Sequence, residues 1–184
     1  MQTPVYSPEE ALTRETFLAL MWSLSYPGRA YALPASGREA YLAVGETLLD
    51  LETSYFTPDQ NLALALSRTG ARALPPERAQ YHFYPELFGA HLETVEQASV
   101  GTMLYPDRSA TLIIGCTFDP DTGRSFQLSG PGIATPKLVT IGGLPDAFWE
   151  LRRKVVRYPL GWDMFLIGGD QVVGLARTTI LDEA

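Results

Sequence analysis

The chain has 184 residues, 46% hydrophobic and 19% charged, with a formal net charge of -7. That length fits one domain, residues 1–184, able to bury on the order of 70% of the surface its unfolded chain would expose, so no disulfide or metal staple is needed. The acidic balance excludes general affinity for nucleic acid, which rests on clustered Lys and Arg, and the longest apolar run, Phe17 to Trp22, falls far short of the roughly 20 residues of a membrane span.

Residues 1–10 carry no basic segment followed by an apolar core, so no secretory signal is expected. The single cysteine, Cys116, cannot form an internal bridge, and a reducing cytoplasm is the expected compartment.

In chain order, Ser7 caps a first helix with Pro8 at its first position, Phe17, Leu20, Met21 and Leu24 form its apolar stripe, and Pro27-Gly28 ends it. A strand follows at 29–33, then a helix at 37–51 with Tyr41, Val44, Leu48 and Leu51 on one face. A strand at 53–56 leads to a third helix at 58–68, capped by Thr57 and packed through Leu62 and Leu66. The stretch 71–99 is legible only at Tyr81-His82-Phe83-Tyr84, a candidate strand.

From Ala110 the pattern turns to strands. Residues 110–117 read as a strand buried on both faces. Asp119-Pro120-Asp121-Thr122-Gly123 leads to a strand at 125–129, a hairpin with a long loop. A strand at 137–141 and a helix from 144 to 157 burying Phe148, Leu151 and Val155 come next, and Gly168-Gly169-Asp170 joins strands 164–167 and 172–176 as a hairpin. The elements predict one α/β domain with a mixed sheet.

Standard catalytic equipment is absent. Lys137 opens a strand and Lys154 lies in a solvated basic run, so neither is placed for a pyridoxal phosphate Schiff base. His82 and His91 lack metal-ligand spacing and read as ordinary surface or half-buried histidines, no metal site is expected, and Cys116 reads as inert packing.

The candidate sites are three. Ser129-Gly130-Pro131-Gly132 reads either as a loop whose amides converge on an anion or as a sharp strand exit needing positive φ. Arg177-Thr178-Thr179 offers a cation and two hydroxyls to a phosphonate or phosphate oxygen, unless Arg177 pairs with a carboxylate at a strand end. Arg152, Arg153, Lys154 and Arg157 fall opposite the apolar face of their helix, and Trp149, Arg153 and Arg157 share a stripe that is either solvated or docks an acidic partner.

Four blocks in a fixed order carry a resemblance: Gly101-Thr102-Met103-Leu104-Tyr105-Pro106-Asp107-Arg108-Ser109-Ala110-Thr111, Leu128-Ser129-Gly130-Pro131-Gly132-Ile133, Tyr158-Pro159-Leu160-Gly161-Trp162-Asp163, and Arg177-Thr178-Thr179. Upstream, Phe17 to Gly28 and Thr47 to Thr53 extend it, residues 71–99 are where it is weakest, and Ala176 departs where proline is usual. The sequence resembles the PhnH subunit family of the bacterial carbon-phosphorus lyase system. The resemblance implies a three-layer α/β/α sandwich similar to the large domain of pyridoxal-phosphate-dependent transferases, without that cofactor, and a homodimer. It further implies an accessory role, alongside other subunits, in transferring ribose triphosphate from ATP to an alkylphosphonate, with phosphonate or ATP as a ligand. The alternatives are a stand-alone transferase holding a phosphorylated substrate at Arg177 and the Gly130 loop, and a dimeric scaffold without ligand.

Overall fold

Ser7 opens the first helix, α1 (Pro8–Ser25), with a capping box: its Oγ accepts the Glu10 amide at 3.2 Å, and Glu10 Oε2 accepts the Ser7 amide at 2.8 Å. The structure, a computed structural model, describes residues 6–184. The face that α1 buries is made of Thr16, Ala19, Leu20 and Ser23, while Phe17 is 51% and Trp22 42% exposed, with Met21 also outside. The expected stripe therefore holds at Leu20 and half-buried Leu24 and fails at Phe17 and Met21. Close approach is the reason. A Cβ at Gly174, on the strand beneath, would lie 2.5 Å from the Ser23 carbonyl carbon, so only small residues fit between helix and sheet.

The chain then forms β1 (Ala30–Ala32), α2 (Gly37–Leu48), β2 (Ser54–Phe56), α3 (Gln60–Leu66), β3 (Arg72–Ala73), β4 (Tyr81–Tyr84) and α4 (Leu92–Glu96). It continues through β5 (Thr111–Gly115), β6 (Arg124–Ser129), β7 (Lys137–Ile141), α5 (Asp146–Val155), β8 (Asp163–Gly168), β9 (Gln171–Leu175) and β10 (Ile180–Glu183). Helix α2 ends before Leu51 because Asp50 Oδ1 accepts the amides of Glu52 and Thr53 at 2.9 and 3.0 Å, folding the chain into a turn with Leu51 79% exposed. Asp59, rather than Thr57, caps α3 by accepting the Asn61 and Leu62 amides.

Seven strands form one mixed sheet in the order β1-β9-β8-β5-β4-β2-β3. Strands β3, β2, β4, β5 and β8 pair in parallel, and β9 pairs antiparallel with both β8 and β1. β5 is central, and its side chains alternate between two cores. Ile113 faces Leu20, Val44 and Leu62 of the first three helices, while Leu112 and Ile114 face Phe126, Phe148 and Trp162 on the other side.

The second face corrects the expectation of a single sheet. β6 does not turn back onto β5. It pairs antiparallel with β7 and β10 in a separate three-stranded sheet, which shares that core with α4 and α5, and a lone bridge between Thr117 and Gly142 ties the two regions. Among the described residues no helix is long and apolar enough to cross a membrane.

Candidate functional site

The four sequence blocks converge on one corner. Arg177 leaves the end of β9 and is held on all sides: its amide donates to Asp163 Oδ1 at 2.8 Å, Nε to the same oxygen at 3.3 Å, Nη2 to Oδ2 at 2.5 Å, and Nη1 to the Pro106 carbonyl. Of the two readings open for Arg177, the structure shows the pairing with a carboxylate, Asp163 at the start of β8. Next to it, the turn from Ala176 to Thr179, closed by a 2.9 Å backbone bond, leads into β10, and Ile180 pairs with Ser129 of β6.

That register sets Gly130 against the turn. Its φ is 126°, and a Cβ there would lie 2.8 Å from the Thr178 carbonyl oxygen. Gly132, with φ 81°, packs on the end of α1, where a Cβ would fall 2.4 Å from the Ser25 carbonyl oxygen. Both glycines serve a strand exit that L side chains would strain. One loop amide is already used, since Ile133 donates to the Gly130 carbonyl at 3.1 Å.

A cavity of about 540 Å³ opens beside this corner, between α5 and β10, with Phe126, Pro131, Trp149, Arg152, Tyr158 and Thr179 in its wall. Its size suits a small organic ligand. Trp149 is 3% exposed and meets the Phe126 ring at 4.6 Å between centroids. Arg152 is 5% exposed, a correction to its expected place on the solvated face. The cause is the second sheet: α5 lies against β6 and β10 as well as the main core, so a wider arc of the helix is covered than Phe148 and half-buried Leu151 alone require.

Burial of Trp149 also breaks the proposed stripe. Arg153 is exposed and ion-paired to Glu183, which takes Arg124 Nη2 at 2.8 Å as well. Hydrogen bonds from Arg124 and Arg153 hold the Glu183 carboxyl below its usual range. α5 stops at Val155, so Arg157 lies beyond it, in a bridge to Leu160.

The remaining candidates are quiet chemically. His82, expected at or near the surface, is wholly buried; Nε2 meets the Ala79 carbonyl at 3.2 Å, and burial pushes its pKa down to about 4, keeping the ring neutral. Cys116 lies just past β5, where burial pushes the thiol up to about 12, so it is a poor nucleophile at neutral pH. Lys154 meets Glu96 at 3.3 Å on the surface. Among the described residues no three His, Cys, Asp or Glu side chains come together to hold a metal ion.

Sequence reasoning missed Arg152 and Phe126. The signal for Arg152 was available: it follows Phe148 by four residues on the helix, the buried face, but its charge masked its position.

Comparison with known proteins covers most of the chain. Residues 5–182 match the family described as bacterial phosphonate metabolism protein (PhnH). A protein of Rhizobium meliloti named alpha-D-ribose 1-methylphosphonate 5-triphosphate synthase subunit PhnH is 31% identical, with 92% of this chain and 90% of its own length covered. HtxG of Stutzerimonas stutzeri, described as a C-P lyase subunit protein, is 29% identical over 89% of this chain and 82% of its own. With all four blocks, and both sheets but for Glu183, inside the matched span, the chain belongs to the PhnH family of bacterial phosphonate metabolism proteins.

Proposed function

We propose that the chain is an accessory subunit of a carbon-phosphorus lyase assembly, supporting the transfer of ribose triphosphate from ATP to an alkylphosphonate while a partner subunit carries the bond-breaking chemistry. The observation that carries this is family membership over residues 5–182 together with the state of the candidate groups: Arg177 is carboxylate-bound, His82 is buried and neutral, and half-buried Cys116 is held as the thiol. Purified chain alone should release no adenine from ATP plus methylphosphonate, whereas adding the other subunits should restore release. Turnover by the chain alone would support the stand-alone transferase instead.

The corner of Ser129, Gly130, Gly132, Thr178 and Thr179 is where we place contact with an anionic ligand, phosphonate or ATP. Its support is the convergence of these residues with Arg177 beside one cavity. A homodimer is supported by the exposed face of α1, where Phe17, Met21, Trp22 and Tyr26 stand uncovered and the last two rings stack at 5.7 Å. A kinship with the large domain of pyridoxal-phosphate-dependent transferases, without the cofactor, is supported by five parallel strands beneath helices and by the surface position of Lys154. The reducing cytoplasm, where Cys116 stays a thiol, is the proposed compartment.

A further inference from the structure

Arg152 is held where the chain itself does not satisfy it. Its hydrogen bond among the described residues runs from Nη2 to the Thr179 carbonyl at 3.1 Å. Nε is buried without a partner among those residues, and so is Thr179 Oγ1. The carboxylate that acts on Arg152, Asp163, is already gripped by Arg177, so these three charges leave one in excess. Burial pushes the Arg152 guanidinium down to about 10, with Asp163 pulling the other way. A buried cation and hydroxyl left open in this manner cost stability, and such groups persist where something else completes them.

We propose that the cavity between α5 and β10 binds a singly charged organic oxyacid, its head on Arg152 and Thr179 Oγ1 and its apolar body against Phe126, Trp149 and Tyr158. One excess positive charge matches one negative charge. A triphosphate would bring several, into walls that are mostly apolar and past Asp182 at the lining. The guanidinium fork donates to two oxygens of a carboxylate or of a phosphonate monoanion, and the hydroxyl supplies a further donor. This refines the anionic-ligand reading given above, on which it rests, and does not depend on assembly with other subunits.

The test is titration of the full chain with phenylphosphonate, benzoate and neutral benzyl alcohol, followed by calorimetry and tryptophan fluorescence. At least one of the two anions should saturate a single site, its identity telling phosphonate from carboxylate, and the alcohol should not. Arg152→Met should weaken that anion about tenfold or more, since a charge-assisted hydrogen bond is lost, while the free variant melts no lower than the parent. Thr179→Val, which keeps the carbonyl that Arg152 holds, should weaken it several-fold at unchanged melting temperature. Unchanged anion affinity in Arg152→Met overturns the inference but leaves an anionic ligand at the corner standing; no binding of either anion to the parent overturns both. If Arg152→Met does not fold, undiminished binding by Thr179→Val overturns the inference by itself.

Discussion

Arg177 meets Asp163 through two side-chain hydrogen bonds, 2.5 Å from Nη2 and 3.3 Å from Nε, while Nη1 reaches the Pro106 carbonyl. One side chain therefore joins the turn after β9, the start of β8 and the loop before β5. The pair is mostly buried, its side chains 17% and 23% exposed. Arg177→Ala would strand the Asp163 carboxylate at a cost of about 2 kcal/mol, below the figure for a fully buried pair, and lower the melting temperature by about 5 °C. Calorimetric melting checks this; an unchanged melting temperature with lost phosphonate-dependent growth would instead make Arg177 a ligand-binding group.

Gly132 should resist substitution for a reason separate from ligand binding. A Cβ would sit 2.4 Å from the Ser25 carbonyl oxygen at a φ of 81°. Gly132→Val is expected to cost about 3 kcal/mol through strain and displacement of the end of α1. Urea unfolding would register the loss as a lower midpoint.

His82 should make the fold acid-sensitive. In the folded chain, burial holds off protonation until about pH 4, whereas the unfolded imidazole takes up its proton near 6.5. Between those values the unfolded state binds more protons, so stability falls as pH drops through that window. The loss from pH 7 to pH 5 should be about 2 kcal/mol. His82→Leu should abolish that increment whatever its own stability, as urea midpoints at the two pH values would tell.

The exposed rings of α1 carry the dimer proposal. Trp22→Glu places a charge on the face formed with Phe17, Met21 and Tyr26 while leaving the buried Ala19, Leu20 and Ser23 face intact. Light scattering should then report a monomer where the parent is a dimer. A parent that is itself monomeric at micromolar concentration would remove the proposal.

Elements whose boundaries are local chemistry were legible in the sequence: the Ser7 cap, the Gly169 hairpin and the apolar run of β5 all stand where periodicity and turn residues put them. Two kinds of feature were not. β3 is two residues long and α4 five, too short for any period. The facing of α1 depends on Gly174, a residue about 150 positions away in sequence that admits the helix backbone. At the site, the sequence marked Gly130, Arg177, Thr178 and Thr179, which do lie together, and it offered a carboxylate partner for the arginine without identifying Asp163. It likewise could not show that the second sheet would cover Trp149 and Arg152, because pairing of β10 with β6 joins segments about 50 residues apart.

Co-purification tests the central claim most directly. The chain, tagged at its chromosomal locus and expressed at native level during growth on methylphosphonate as phosphorus source, should elute in a stable complex with the other carbon-phosphorus lyase subunits, and deleting its gene should abolish that growth. A chain that elutes free of those subunits, from cells whose growth on methylphosphonate survives its deletion, would contradict the account.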